Sequence, residues 1–296
     1  MAKSHDDNEQ SHLGRREFMA AAAGMAATAF AAHEAGAAGH ASTPAEFAPE
    51  DKVAKPVGAG STILITGANR GLGFEFSRQY AELDTRIIAT CRNPDKATAL
   101  QKLAADNSGI VIERLDVTDL QNIDELAEKY ADEPIDVLLN NAGIGGGAEN
   151  QIFGKLNYPV FHQVMAVNVV GPIKMCEAFR KNVEASNLKK MITVSSSQGS
   201  ITEVAMPMLY WYRSSKAAVN MQMVNLALQM RRRKVIVGLV APGATATDFI
   251  PEPFRSRIPS IRQPEVAAAD MMRNIDRFTL ENSGTYFNYD GTVLPW

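Results

Sequence analysis

Short runs of aliphatic and β-branched residues recur along the chain: Ile63-Leu64-Ile65, then residues 86–91, 110–115, 137–139, 191–194, 235–240 and 285–287. They are near-continuous rather than alternating, which predicts strands buried on both faces. Between them lie stretches with a period near 3.6; residues 120–131 carry apolar side chains at Leu120, Ile123, Leu126 and Ala127, and this predicts a helix. Buried strands alternating with helices make a parallel sheet, because each parallel pair needs a crossover and the crossover helix covers one face. The predicted fold is therefore α/β, a single doubly wound parallel sheet of about seven strands with helices on both faces. It occupies residues 61–296, with no internal repeat and no second domain evident in the pattern.

The first sixty residues read differently. Residues 1–17 are polar and end in Arg15-Arg16-Glu17, and Phe18 to Ala32 then runs without a charge and is mostly alanine. That stretch is too short to span a bilayer, which takes about 20 residues. A basic region, an apolar region and small residues near Ala35-Gly36-Ala37 or Gly39-His40-Ala41 fit a secretory leader over 1–41. Gly14-Arg15-Arg16-Glu17-Phe18-Met19 resembles the twin-arginine export motif, departing from it at Gly14 and Ala20. The expected location is extracytoplasmic, or cytoplasmic if the leader is not used. Residues 42–60, rich in Pro, Gly and Ala, read as a flexible linker with too little apolar content to pack.

Charge and composition then remove several functions. A net charge of −3 offers no footprint for nucleic acid, where clustered cations must neutralise phosphates. The basic run Arg231-Arg232-Arg233-Lys234 suits a helix C-terminus. Four of the five histidines fall in the first 40 residues, leaving His162, and no C-x-x-C or H-E-x-x-H occurs, so no metal site is expected. A serine hydrolase is disfavoured by the same shortage and by the absence of G-x-S-x-G. Cys91 and Cys176 sit in apolar runs and read as buried free thiols.

The first strand runs into Thr66-Gly67-Ala68-Asn69-Arg70-Gly71-Leu72-Gly73, and 74–83 continues as helix. Glycines permit a tight turn and close backbone approach, and free N–H groups at a helix start attract a pyrophosphate. This is the context of a dinucleotide turn in a Rossmann-type sheet. An acid at the end of the second strand would bind the ribose hydroxyls of NAD. Here Arg92 stands there, nineteen residues after Gly73, and Arg70 lies within the turn; two guanidinium groups favour the 2′-phosphate of NADP(H), with NAD(H) as the other candidate.

Tyr212 and Lys216 are four residues apart on a predicted helix that runs to Arg231, and so share a face. A phenol's usual pKa is about 10; an ammonium beside it and the positive nicotinamide would lower it, so that Tyr212 exchanges a proton with a carbonyl or alcohol oxygen. Tyr210 has Ser214 four residues on and lacks that partner.

The motifs Thr66–Gly73, Asp116-Val117, Asn140-Asn141-Ala142-Gly143, Asn168, Ser196 three before Gly199, Tyr212/Lys216 and Pro242-Gly243 occur in one order across most of 61–296. Together they resemble the short-chain dehydrogenase/reductase family. The ending Asn288–Trp296 and Tyr210-Trp211-Tyr212-Arg213 look like its C-factor and sniffer-type carbonyl reductase branch. The resemblance implies a catalytic group of Asn168, Ser196, Tyr212 and Lys216. Ser196 would hold the substrate carbonyl, Lys216 the nicotinamide ribose, and Asn168 a proton-relaying water. Asp116 and Val117 would meet the adenine, Asn141, Ala142 and Gly143 the ribose side, and Pro242, Gly243, Thr245 and Thr247 the nicotinamide end or phosphate. The family also implies a homodimer or homotetramer. The sixteen-residue spacing from Ser196 to Tyr212 is longer than in the family's shorter members, so the pocket wall is open to change. Residues 203–209 and Phe249, Ile250 and Phe254 are expected to line an apolar pocket for an uncharged aldehyde or ketone, or to pack on the core or a second subunit. Trp296 is a candidate subunit contact. The branch leaves a signalling or NADP-sensing role with little turnover as the alternative, and the family permits isomerase or lyase chemistry.

Overall fold

Seven parallel strands are ordered β3-β2-β1-β4-β5-β6-β7 in one sheet. They are β1 (Thr62–Thr66), β2 (Arg86–Cys91), β3 (Ile110–Arg114), β4 (Val137–Asn140), β5 (Lys190–Val194), β6 (Ile236–Ala241) and β7 (Tyr286–Asn288). The computed structural model describes residues 49–250, 255, 258 and 260–296. The leader reading of 1–41 and the expected pocket residue Phe254 lie outside the described residues.

Helices α1 (Gly71–Ala81), α2 (Thr98–Asp106), α3 (Leu120–Lys129), α4 (Tyr158–Met165), α5 (Gly171–Ala178), α6 (Arg180–Ala185), α7 (Tyr210–Met230) and α8 (Pro264–Arg277) make the crossovers. Strand β1 shows why the run Ile63-Leu64-Ile65 carries no alternation. Leu64 packs on one face with Ile123, Met175 and Met223 from α3, α5 and α7, while Ile63 and Ile65 pack on the other with Phe76, Leu100 and Met271 from α1, α2 and α8. All three are fully buried, as a sheet covered on both sides requires. Chain order reverses between β1, which pairs with β2, and β4, which pairs with β1 on its other edge. That reversal opens a crevice at the carboxyl ends of the strands.

The opposite pole is tied to the segment expected to be a loose linker. Pro49–Lys52 forms a 3-10 turn, Val57 is buried, and its N–H donates to Asp276 Oδ1 at 2.8 Å. Lys190, with no exposed surface, donates from Nζ to the carbonyls of Lys55 (2.8 Å), Ile275 (2.8 Å) and Asp276 (3.3 Å). Part of the stretch read as a linker is therefore fixed: Val57 joins the core on one face of the sheet, and Lys190 at the start of β5 and Asp276 on α8 hold its backbone. Cys91 and Cys176 are buried free thiols as expected. Among the described residues no helix is long and apolar enough to cross a membrane.

Candidate active site

The glycine turn is shaped by close approach. Gly67 and Gly71 have φ of +69° and +54°, a region that only glycine enters at no steric cost. A Cβ on Gly73 would collide with the Gly67 carbonyl and lie 2.6 Å from Asn141 Nδ2. Helix α1 begins after Arg70, whose side chain makes no cap, so its first N–H groups point into the crevice and suit a phosphate. Asn69 and Arg70 are exposed there, and Leu72 is half-buried. Arg70 pairs with Asp248 at 3.1 Å with both side chains about two-thirds exposed (67% and 69%), a surface pair that costs little to exchange. Arg92 is exposed at the end of β2.

Several residues expected at the cofactor are occupied with holding the crevice. Thr66 Oγ1 accepts from the N–H groups of Asn141 and Ala142, both at 3.0 Å. Asn141 Nδ2 donates to the carbonyls of Thr66 (2.9 Å) and Gly67 (3.2 Å). These side chains join the ends of β1 and β4, leaving the backbone to face a ligand. Val117 packs in the core against Gly171. Asp116 accepts from Thr118 N (2.9 Å) and Oγ1 (2.7 Å). Burial favours its neutral form, but those bonds, with Arg92 and Arg114 nearby, hold its carboxyl below the usual range. Thr245 is buried and donates to the Gly243 carbonyl at 3.3 Å. The Thr247 methyl would lie 3.3 Å from a Cβ on Gly71, so the loop after Pro242-Gly243 closes on the glycine turn.

The reacting end lies at the same edge of the sheet. Tyr212 and Lys216 are one turn apart on α7, both buried, with Lys216 Nζ 5.8 Å from the Tyr212 ring centre. Lys216 Nζ donates to the Val194 carbonyl at 2.9 Å, and burial pushes its pKa down to about 8. Ser196, just past β5, hydrogen-bonds the Tyr212 hydroxyl. A Cβ on Gly143 would sit 3.4 Å from Asn168 Oδ1 and 3.9 Å from Lys216 Nζ, which places all three at one point. Asn168 sits in a π-helical turn, Ala166–Val170, between α4 and α5. Within that turn Asn168 Oδ1 accepts from Ile144 N (2.9 Å) and Nδ2 donates to Ile144 O (2.9 Å) and Ser215 Oγ (3.0 Å).

Burial works against the acidity expected of the phenol. Burial pushes Tyr212 up to about 12, and the bond with Ser196 only partly offsets this. An apolar crevice disfavours phenolate, and positive charge beside the ring opposes that cost.

Other residues at the site escaped sequence reasoning. Tyr286 from β7 is fully buried and donates to the Ser196 carbonyl, and behind Ser196 the Ser195 hydroxyl donates to Asn220 Oδ1 at 2.6 Å. Trp296, expected at a subunit contact, stacks on Tyr286 with ring centres 5.5 Å apart. Gln151 is buried beside the start of α7. Phe249 stands over the phenol with ring centres 5.0 Å apart. No pattern in the chain marks Tyr286, Asn220 or Gln151, because each acts through contacts distant in sequence. Among the described residues no group of His, Cys, Asp and Glu could hold a metal.

Comparison with known proteins agrees with this geometry. A family model described as short chain dehydrogenase matches residues 61–256. A Rhodococcus enzyme, 1-hydroxy-2-glutathionyl-2-methyl-3-butene dehydrogenase, is 32% identical over 241 residues, covering 80% of this chain and all of the relative. Among solved structures, the NADPH-bound carbonyl reductase from chicken fatty liver superposes with a TM-score of 0.73 at 27% identity, covering 80% of this chain and 100% of that one. The carbonyl reductase Sniffer of Drosophila melanogaster gives 0.70 at 26% identity with the same coverage.

Proposed function

We propose a function on one premise: the chain belongs to the short-chain dehydrogenase family. It is an NADP(H)-dependent oxidoreductase that interconverts an uncharged, apolar aldehyde or ketone and its alcohol. The observation that carries this is the meeting of Ser196, Tyr212 and Lys216, with Lys216 and Asn168 beside Gly143, at the same sheet edge as the glycine turn. The NADPH reported in the chicken carbonyl reductase supports the cofactor, and Arg92 and Arg70 supply the cationic corner that a 2′-phosphate needs.

When bound, the nicotinamide supplies the hydride for carbonyl reduction. Ser196 Oγ–H orients the carbonyl oxygen, and the Tyr212 O–H gives that oxygen its proton. Lys216, charged below pH of about 8, steadies the phenolate left behind. Asn168, fixed by its bonds to Ile144 and Ser215, orients a water that returns the proton toward Lys216. Ile201, Val204, Met206 and Met208, on the segment between Ser196 and Tyr212, present exposed apolar surface, which fits an uncharged apolar substrate. The assembled catalytic group favours turnover over the sensor alternative. A second copy of the chain pairs through the exposed Val170, Met221 and Leu228, on the helices beside Asn168 and Tyr212.

Purified protein oxidises NADPH in the presence of 4-nitrobenzaldehyde, followed by nicotinamide absorbance. Tyr212→Phe lowers kcat by about 10²- to 10⁴-fold with NADPH binding intact. Tight NADPH binding without turnover on a carbonyl panel would refute the reductase. Export by the twin-arginine route belongs to the same proposal, and fractionation with Arg15 and Arg16 both changed to Lys tests it; an unchanged distribution refutes it.

A further inference from the structure

Helix α7 carries both Tyr212 and Lys216, yet it starts badly. Leu209 precedes it in the left-handed region, φ 55°, and offers no side-chain cap. The first internal bond runs from Arg213 N to the Leu209 carbonyl at 2.9 Å, so the N–H groups of Tyr210, Trp211 and Tyr212 find no partner inside the helix. That of Tyr212 is met from 61 residues away: Gln151 Oε1 accepts it at 2.9 Å.

The same amide faces the other way as well. Gln151 Nε2 donates to the carbonyls of Gly145 (2.8 Å) and Gly147 (2.9 Å), and the side chain is only 2% exposed. Both its amide hydrogens and its oxygen are therefore used on backbone groups. The loop it grips is unusual, with Gly146 and Gly147 at φ of +76° and +72° in succession. A Cβ on Gly145 would lie 3.2 Å from the Phe249 ring, and that ring packs at a tilt against Tyr212. Gly143, at the start of this loop, lies beside Lys216 Nζ and Asn168.

We infer that Gln151 is a positioning residue for proton transfer: its amide clamps the 143–147 loop to the backbone of Tyr212 and so sets the place of the phenol between Ser196 and Lys216. This rests on the reading of Tyr212 as the proton donor. Gln151 bonds no reacting atom in this arrangement, and none of its hydrogen bonds reaches the glycine turn that would hold the pyrophosphate. Its loss should act on the chemical step and spare cofactor binding. An amide is the one neutral side chain of this length that can accept from Tyr212 and donate to two carbonyls together. A carboxylate keeps the acceptor, loses both donors and brings negative charge toward the phenol. Protonated at lower pH, the acid regains one donor and loses the charge.

The test compares Gln151→Met, Gln151→Glu and wild type with NADPH and 4-nitrobenzaldehyde. For Gln151→Met, kcat falls by about 10- to 100-fold, the scale of a misplaced reacting group. KM for NADPH and the Kd from nicotinamide fluorescence stay within about two-fold, as expected where uniform binding is untouched. For Gln151→Glu the deficit is smaller at acid pH than at neutral pH, a dependence that simple loss of packing would not produce. An unchanged kcat in folded Gln151→Met, or a pH-independent deficit in Gln151→Glu, overturns the inference. Should both variants fail to fold, hydrogen exchange of the Tyr212 amide in wild type decides: slow exchange supports the clamp and unprotected exchange overturns it. If Tyr212→Phe retains full activity, the reading of Tyr212 falls; if Tyr212→Phe is inactive while Gln151→Met is normal, only the clamp falls.

Discussion

Replacing Lys216 with Met removes the positive charge beside Tyr212 while keeping the length of the side chain. Taking the 5.8 Å from Nζ to the ring centre as the charge separation, and an effective dielectric of about 20, the ammonium stabilises phenolate by about 3 kcal/mol. That corresponds to raising the phenol's ionisation by about two pH units when the charge is lost. The phenol already stands at about 12 because burial outweighs its bond with Ser196, so the variant starts from a worse position. The assay is the pH dependence of kcat/KM for oxidation of 4-nitrobenzyl alcohol with NADP, where the ionised phenol is the active form. In wild type, Lys216 is charged below about 8 and supports the phenolate through neutral pH. In Lys216→Met the rate at pH 7 falls by about 100-fold and its alkaline rise moves upward. A profile that keeps its position while the rate falls uniformly would show that Lys216 only holds the cofactor, and the electrostatic argument would be wrong.

Two more outcomes follow from particular contacts. Lys190→Met leaves the carbonyls of Lys55, Ile275 and Asp276 without their donor, at a net cost of about 2–4 kcal/mol, seen in thermal melts. Burial depresses the Lys190 pKa to about 8, so the folded state holds fewer protons than the unfolded chain above that pH. The stability Lys190 contributes therefore rises between pH 8 and its ordinary 10.5, and the gap between wild type and variant widens by about 2.5 kcal/mol at pH 10; a constant gap would show that the three carbonyls keep the ammonium charged. Arg92→Glu weakens NADPH binding by about 10- to 100-fold while sparing NADH, since a charge-assisted bond to phosphate is lost; equal losses for both cofactors, measured by fluorescence titration, would place the 2′-phosphate elsewhere.

How far the chain could be read depended on whether a residue's partners were near it in sequence. Ile63, Leu64 and Ile65 declare a strand buried on both faces because the signal is local. Tyr212 and Lys216 declare themselves because one helical turn joins them. Thr66 and Asn141 were legible as site residues but not in their manner of acting: their polar atoms are spent on each other's backbones. Asn168 was found by its motif, whereas the π-helical turn that aims it depends on packing around 166–170. Tyr286 meets Ser196 across 90 residues, and nothing adjacent to either marks the pair. The linker reading of 42–60 weighed apolar content over the whole stretch, where a single residue, Val57, joins the core while its N–H donates to Asp276. The acidity expected of Tyr212 rests on the Lys216 ammonium and the nicotinamide charge, and the burial that works against it is not visible in sequence.

The clamp of Lys55 and Val57 by Lys190 and Asp276 has a practical side. Lys190 opens β5 and Ser196 follows its far end, so the strand's length separates the clamp from the catalytic group. A fusion or surface tether attached ahead of residue 49 is then anchored at the base of the sheet, and an immobilised enzyme would present its crevice to the solution.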